Sequence, residues 1–200
     1  MATRPWHYHA ADAPSPRTAM TVLDTPRLRL EPIADVHLAG LTEMNADPEV
    51  ARYLRGRPET PEETREMVER VKQRWAAQGY SWWALLDKQT GELIGAGCVQ
   101  NLRREATPEP DLACPLEIGW RLRRDRWGQG LASEAARAMA AFAFDTLKAP
   151  ELYAVCVPEN TASSKVMKRL GMRELGVQTW YGQGLATYAF TVDEWRAAEA

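Results

Sequence analysis

The segment Arg126-Trp127-Gly128-Gln129-Gly130-Leu131-Ala132-Ser133-Glu134-Ala135 decides how the rest of the chain is interpreted. It follows an apolar run at residues 116–122 that is typical of a strand, and it leads into an alanine-rich run at 135–144 that is typical of a helix. Two glycines therefore lie in a turn between a strand and a helix. Glycine adopts positive φ at no steric cost, and the first N–H groups of a helix lack intrahelical partners. The turn thus indicates a phosphate or pyrophosphate site, although a plain tight turn would need the same glycines.

The run from Trp127 to Ala132 resembles the Q/R-x-x-G-x-G/A loop of the GNAT superfamily of acetyl-CoA-dependent N-acetyltransferases. Trp127 stands where most members carry Gln or Arg, and this departure resembles the RimJ/RimL branch, the ribosomal-protein N-terminal acetyltransferases and their relatives. Residues 160–172 resemble the N-x-x-S-x-x-V-x-x-x-L-G-[FM] pattern of the same branch. The resemblance spans roughly residues 25–195, and it implies an N-acetyltransferase that uses acetyl-CoA as cosubstrate and no metal.

The element order predicted from periodicity is β-α-α-β-β-β-α-β-α-β-β, which indicates a mixed α/β (α+β) fold. The Thr60-Pro61-Glu62-Glu63 segment combines an N-cap Thr with a capping-box Glu, and it predicts a helix start. By resemblance, the fold is a GNAT-type twisted mixed sheet of about seven strands with helices on both faces, its fourth and fifth strands splayed apart. Strands are predicted at residues 27–30, 81–86, 93–99, 116–122, 151–157, 173–179 and 186–192, and helices at 35–45, 47–54, 60–78, 135–144 and 160–172, with Asp193 capping a last helix.

Length and composition predict a mobile arm at residues 1–20 and a single N-acetyltransferase domain at residues 21–200. The formal net charge of −2 argues against a nucleic-acid partner. No apolar run is long enough to span a membrane, and the N-terminus lacks the apolar stretch of a secretory signal. The three cysteines, Cys98, Cys114 and Cys156, show no C-x-x-C spacing and predict reduced thiols in a cytoplasmic protein.

The cofactor site is predicted around the glycine loop. Its backbone N–H groups would bind the pyrophosphate, and Arg123, Arg124 or Arg126 could pair with phosphates or form a merely solvated basic loop. In the family, an Asn at the position of Asn160 bonds the pantetheine arm; the same residue could instead cap the next helix. The predicted cofactor-binding residues are Ile118, Trp120, Arg123, Arg126, Trp127, Gly128, Gln129, Gly130, Leu131, Ala132, Ser133, Asn160 and Ser163.

Glu117 is the predicted general base, because it is a carboxylate in an otherwise apolar strand and half-burial can raise its pKa to a useful value. The alternative is a Glu with no chemical role, and His37 is a second titrating candidate. Ser163 could lie near the cofactor sulfur and protonate the thiolate, or be an ordinary first-turn serine. Many superfamily members carry a Tyr as general acid where this chain has Met167, so that mechanism does not carry over.

The acceptor remains open between several amines. A protein or peptide N-terminal α-amine is favoured, because an α-amine titrates near ~8 and a lysine near ~10.4. Residues 35–54 and 180–184 would form the walls of its groove. The alternatives are a small-molecule amine such as a polyamine or an aminoglycoside, a non-catalytic CoA-binding regulatory module, or another phosphate binder, against which the absence of G-x-x-x-x-G-K-[ST] counts. A homodimer is also possible.

Overall fold

The computed structural model describes residues 20–54 and 56–199, with the backbone alone at Glu199. Apart from Met20, the arm predicted at residues 1–20 lies outside the described residues and stays a prediction.

A mixed β-sheet forms the centre of the molecule, with helices on both sides. Its spatial order is β1-β2-β3-β4-β5-β6-β8-β7, and β5 and β6 run parallel while the other neighbours are antiparallel. The described residues give eight strands rather than about seven, because the short β1 adds an edge to β2. The strands are β1 Leu23–Asp24, β2 Leu28–Pro32, β3 Trp82–Asp87, β4 Leu93–Asn101, β5 Leu116–Leu122, β6 Glu151–Cys156, β7 Arg173–Trp180 and β8 Gln183–Thr191.

The helices follow the predicted order with shifted ends. The helix predicted at residues 35–45 begins with a 3-10 turn, Asp35–His37, and the helix predicted at 135–144 already begins at Leu131 and ends in a π-turn, Phe142–Thr146. A second 3-10 turn, Arg124–Arg126, leads into the glycine loop. The helices are α1 Leu38–Asn45, α2 Pro48–Ala51, α3 Pro61–Gln78, α4 Leu131–Ala141, α5 Thr161–Arg169 and α6 Val192–Glu199.

Capping side chains explain where two of the helices begin. The predicted capping box of α3 is confirmed, since Thr60 Oγ1 accepts from Glu63 N–H at 3.2 Å and Glu63 accepts from Thr60 N–H at 2.9 Å. The prediction that Asp193 caps the last helix is wrong. Thr191 does so, because its Oγ1 accepts from Glu194 N–H at 3.2 Å while Glu194 accepts from Thr191 N–H at 2.8 Å.

The core lies between the sheet and its helices. Trp83 is fully buried, while its neighbour Trp82 is only partly buried. The Trp83 ring meets Trp75 of α3 edge-on at 4.9 Å and Phe142 at 5.3 Å. Edge-to-face pairs of this kind add about 0.5–1.5 kcal/mol each to the burial of apolar area. They fix α3 and the end of α4 against β3.

The sheet opens between β5 and β6. In the described part of the chain, their pairing is limited to Glu117 opposite Tyr153, although β5 continues to Leu122 and β6 to Cys156. These are the fourth and fifth of the predicted strands, so the predicted splay is confirmed. Because the strands are parallel, the gap opens at their carboxyl ends, where α4 and α5 begin and ligands bind in open α/β sheets.

The hairpin of β7 and β8 is tighter than predicted. β8 begins at Gln183 rather than at residue 186, so the turn consists of Tyr181 and Gly182 with φ of 53° and 72°. Positive φ at both central residues is the type I′ geometry that matches the twist of paired strands. The side chain of Tyr181 is therefore held in a defined position at the tip of this hairpin.

Candidate active site

A cavity of about 380 Å³ lies at the gap between β5 and β6. The last three residues of β5, Trp120, Arg121 and Leu122, line it. The cavity thus lies at the carboxyl end of β5, between the glycine loop and the start of α5. It is lined by Glu49, Val50, Tyr53, Leu54, Trp120, Arg121, Leu122, Arg126, Trp127, Gly128, Gln129, Gly130, Leu131, Ala132, Ser133, Asn160, Thr161, Ala162, Ser163, Lys165, Val166 and Arg169.

The glycine loop forms one wall of this cavity with its backbone. Gly128 and Gly130 have φ of 73° and 77°, which side chains rarely tolerate. A Cβ placed on Gly128 would meet nothing within 4 Å, so the loop leaves open space there. The first backbone hydrogen bond of α4 runs from Glu134 N–H to Gly130 O at 3.1 Å. Helix geometry leaves the preceding N–H groups, those of residues 131–133, at the positive end of the helix dipole, as a phosphate ligand requires.

The side chain of Ser133 also supports a phosphate site at the glycine loop. Its Oγ is buried and has no hydrogen-bond partner within residues 20–54 and 56–199. Burying a hydroxyl without a partner costs about 1–3 kcal/mol. Since Ser133 lines the cavity, a phosphate oxygen could accept from this hydroxyl and satisfy it. The loop, the helix start and this hydroxyl fit an anionic ligand.

Arg27 and Glu134 hold the loop from behind, and sequence reasoning missed both. Arg27 Nη1 donates to Gln129 O at 2.9 Å, and its Nε donates to Glu134 at 2.7 Å. Thr25 Oγ1 also donates to Glu134 at 2.6 Å. Trp127 Nε1 donates to Leu122 O at 2.9 Å, which ties the loop to the end of β5. No local pattern could indicate the Arg27 contact, because more than a hundred residues separate the partners (|i−j| = 102).

The predicted arginines have different partners from those expected. Arg126 lines the cavity, but its guanidinium already pairs with Asp87 at 3.3 Å and Glu92 at 3.1 Å. Arg123 pairs with Asp125 at 3.1 Å and lines a neighbouring cavity of about 420 Å³ together with the exposed Arg124. Their predicted contact with phosphate stays a prediction.

Two basic residues that were not predicted line the cavity itself. Lys165 and Arg169 of α5 are exposed and face the glycine loop across the cavity. Residues four apart share one face of a helix, so their spacing was an available signal. Both residues therefore bring positive charge to the cavity wall.

Asn160 caps α5. Its Oδ1 accepts from Ser163 N–H at 3.1 Å, so Asn160 is the N-cap of the helix, as one of the two predictions had it. The cap uses only the amide oxygen and not the amide nitrogen. Both Asn160 and Ser163 line the cavity, which keeps the predicted cofactor contacts geometrically possible. Met167 is buried in the main core at 2% exposure, and its position provides no acid.

Glu117 lies deeper in β5 than the cavity, and neither Glu117 nor Ile118 is among the described residues that line it. Its carboxylate is 5% exposed. Oε1 accepts from Gln100 Nε2 at 2.8 Å and from the Tyr181 hydroxyl. Burial raises the pKa of Glu117, although these two hydrogen bonds and the nearby Arg103 oppose the shift. Because burial outweighs them, the carboxylate is a stronger base than a solvated one.

The hairpin tip fixes this arrangement. Tyr181 N–H donates to Arg103 O at 2.7 Å, and Gly182 N–H donates to Arg104 O at 2.9 Å. These bonds hold Tyr181 at a positive φ that costs a non-glycine residue on the order of 1–2 kcal/mol. Burial and the adjacent Glu117 raise the pKa of Tyr181, so its hydroxyl stays protonated and donates.

His37, the other candidate for the general base, has a local structural role. It is 7% exposed, and its Nδ1 accepts from Ala34 N–H at 3.1 Å at the start of the 3-10 turn. Burial lowers the pKa of His37, although the neighbouring Glu31 opposes the shift. Since it is absent from the cavity lining, its geometry gives it no part in the chemistry there.

Comparison with known proteins agrees with this geometry. The acetyltransferase (GNAT) domain family matches residues 27–173. The uncharacterized protein YkkB of Bacillus subtilis is 32% identical over 172 residues, covering 85% of this chain and 95% of that protein. The FsC-acetyl coenzyme A-N(2)-transacetylase of Aspergillus fumigatus is 28% identical over 189 residues, 88% of this chain and 79% of that one. The crystal structure of an acetyltransferase from Agrobacterium tumefaciens is 25% identical with a TM-score of 0.72, covering 86% and 95% of the two chains.

The chain therefore belongs to the GNAT family of acetyltransferases. It is an N-acetyltransferase, and its cosubstrate is acetyl-CoA, which supplies the acetyl group as a thioester. The cavity that meets the glycine loop stays the predicted site of this cosubstrate. The finer assignment to the RimJ/RimL branch stays a prediction.

Three further observations concern the described residues. No helix among them is both long and apolar enough to cross a bilayer. They contain no group of three or more His, Cys, Asp or Glu side chains arranged to hold a metal ion. Cys98, Cys114 and Cys156 are all free thiols, as the sequence predicts.

Removing the Arg27 side chain is expected to weaken acetyl-CoA binding without a matching loss of stability. Arg27→Ala deletes the hydrogen bond to Gln129 O, so the N–H groups of the loop lose their fixed orientation. The dissociation constant of acetyl-CoA, measured by calorimetry, should rise about three- to tenfold, which corresponds to the free energy of one hydrogen bond. Arg29→Ala is the control, because Arg29 is equally exposed and pairs with Asp24 and Glu31 away from the loop. Equal affinities for the two variants would contradict the supporting role of Arg27.

Proposed function

We propose that this N-acetyltransferase transfers the acetyl group of acetyl-CoA to the α-amine of a peptide or protein N-terminus. The observation that carries the proposal is the buried Glu117 carboxylate beside the splay, held on Oε1 by Tyr181 and Gln100. These bonds use one oxygen of the carboxylate and leave Oε2 to accept a proton from an incoming ammonium group.

The roles of the chain's residues follow from their positions. The glycine loop and the first turn of α4 bind the phosphates, and Asn160 and Ser163 lie along the cavity wall where the pantetheine arm would run. Glu117 removes the proton from the ammonium, directly or through one water, so that the neutral amine can attack. Because Met167 replaces the tyrosine acid, the thiolate leaves unprotonated or takes a proton from Ser163 or water; a thiol pKa near ~8.5 makes an unprotonated leaving group feasible.

The α-amine is favoured over lysine because of its pKa. With values near ~8 and ~10.4, the neutral fraction at pH 7 differs by more than about a hundredfold. A site with one carboxylate base and no tyrosine acid suits the amine that loses its proton more easily. The relative from Aspergillus fumigatus is named an acetyl coenzyme A-N(2)-transacetylase, which agrees with acetyl transfer to a nitrogen.

The walls of the predicted acceptor groove support the same proposal. Val50, Tyr53 and Leu54, in and after α2, line one side of the cavity. Tyr181, at the tip of the hairpin of β7 and β8, contacts Glu117 of β5. An extended peptide could lie between them with its N-terminus at the splay.

Two matched peptides test the acceptor. One has a free N-terminus and no lysine, and the other has a blocked N-terminus and one internal lysine. In a thiol-release assay with acetyl-CoA, we expect the first peptide to react at least ten times faster at pH 7, because its neutral fraction is larger. Faster acetylation of the blocked lysine peptide, or turnover with polyamines or aminoglycosides alone, would refute the α-amine assignment.

A further inference from the structure

Two arginines lie close together beside the proposed acceptor site, and no described carboxylate lies within ion-pair distance of either. Arg74 of α3 and Arg103, which follows β4, both donate to the same oxygen, Pro108 O, Arg103 at 2.9 Å. Within residues 20–54 and 56–199, neither guanidinium has an acidic side chain at ion-pair distance. Burial and the like charge of Arg103 lower the pKa of Arg74, which agrees with two cations in close proximity. We call Arg74 and Arg103 the arginine pair.

The arginine pair is adjacent to the base. The Arg103 guanidinium lies over the Tyr181 ring, with Cζ 4.9 Å from the ring centroid, and the hydroxyl of the same ring donates to Glu117. A single tyrosine side chain therefore separates the guanidinium from the proposed base. Arg103 also lowers the pKa of Glu117 through its charge, in opposition to burial, which places the two groups in one electrostatic environment.

The hydrogen-bonding capacity of the pair is mostly unused. A guanidinium carries five N–H donors, whereas each of these two has one acceptor in Pro108 O. Arg103 Nε is buried and has no acceptor among the described residues. Two clustered cations with spare donors in a partly buried place are costly unless an anion binds them. A carboxylate is the group whose planar geometry matches the arginine fork.

We infer that the acceptor amine carries a carboxylate, which the arginine pair binds while the amine faces Glu117. This inference rests on the proposed function and narrows its acceptor class. The acceptor is an α-amine whose molecule carries an acidic group no more than one or two residues away from that amine. Such a carboxylate has two sources, an acidic side chain near the N-terminus of a peptide or the α-carboxylate of a free amino acid. The alternative is that the pair simply fastens the segment around Pro108, and that role would not distinguish one acceptor from another.

The test compares acceptors that differ in one charge. The peptide arm uses two lysine-free peptides with Asp or Asn as the second residue. The small-molecule arm uses alanine and alaninamide. We expect kcat/KM to favour the acid over its amide at least ~10-fold in one arm, the factor that a charge-assisted hydrogen bond supplies, and that arm identifies the source of the carboxylate. Equal kcat/KM for acid and amide in both arms would overturn the inference.

Variants of the pair separate recognition from a structural role. Arg103→Met keeps the apolar stem over Tyr181 and should bring the acid-to-amide ratio of kcat/KM close to one. The ratio also cancels any effect on the pKa of Glu117, which all acceptors share. Arg70→Ala is the control, because Arg70 lies one turn before Arg74 and pairs with Glu66 at 3.6 Å. An equal loss for acid and amide in Arg103→Met would overturn the inference.

The same comparison is made with N-terminally blocked lysine peptides that have Asp or Asn beside the lysine. A preference for acid there, without α-amine turnover, would refute the proposed function and support the arginine pair as a carboxylate site. The absence of any preference, with rapid α-amine turnover, would leave the proposed function intact and overturn the inference.

Discussion

Replacing Glu117 by glutamine is expected to lower kcat for α-amine acetylation by about a hundredfold or more, the usual contribution of a general base. The substitution keeps the size of the side chain and its capacity to accept from Gln100 and Tyr181, so the fold should be retained. Acetyl-CoA affinity should change little, because Glu117 is not among the residues that line the cavity. Steady-state kinetics and calorimetry on the same preparation measure the two effects.

The pH profile gives the sharper test. Wild-type activity should fall as pH drops through the pKa of Glu117, which burial raises above the ordinary value, because a protonated carboxyl cannot accept the proton. In Glu117→Gln only amine that is already neutral can react, so the deficit should shrink as pH rises past ~8. Glu151→Gln is the control, since Glu151 begins the neighbouring strand β6 and its carboxylate is hydrogen-bonded to Tyr153. Near wild-type turnover of Glu117→Gln from pH 6 to 9 would remove Glu117 from the mechanism.

A methyl group on the glycine loop is expected to weaken acetyl-CoA binding about ten- to a hundredfold. In Gly128→Ala the new Cβ enters space that is open to the cavity, where it would hold phosphate oxygens away from the loop N–H groups. The loss of one charge-assisted hydrogen bond corresponds to a factor of that size. Calorimetric titration with CoA measures it directly.

The backbone strain of this substitution is controlled by Gly176→Ala. Gly176 lies in the irregular part of the edge strand β7, has φ of 80°, and likewise has nothing within 4 Å of an added Cβ. Both variants should lose about 1–2 kcal/mol in the free energy of unfolding, because both place alanine in the left-handed region. Gly176→Ala should bind CoA like the wild type. Equal affinities for the two variants would show that the glycine loop does not contact the phosphates.

Local patterns predicted the parts of the fold that depend on neighbours in sequence. The strand at residues 116–122 and the capping box at Thr60 depend on local sequence, and the structure confirms them. The edge strand β1 was missed because a two-residue strand has no periodicity, and it exists through pairing with β2. The start of α4 was placed too late, since Gly130 in a left-handed conformation acts as N-cap without a capping side chain.

The candidate site was predicted as far as it depends on motifs. The glycine loop, Asn160 and Ser163 do meet at one cavity. Long-range contacts were out of reach: Tyr181 reaches Glu117 across 64 positions and Arg27 reaches Gln129 across 102. The partners of Arg126 were missed for the same reason, since Asp87 and Glu92 belong to the distant hairpin of β3 and β4.

One product analysis tests the central claim most directly. A peptide with both a free N-terminus and an internal lysine, with aspartate as its second residue, is incubated with the enzyme and acetyl-CoA at pH 7, and mass spectrometry of its fragments locates the acetyl group. We predict acetylation of the α-nitrogen, with the lysine unmodified at the time when half of the peptide has reacted. Acetyl groups on the lysine at that time, with a free α-amine, would contradict the account.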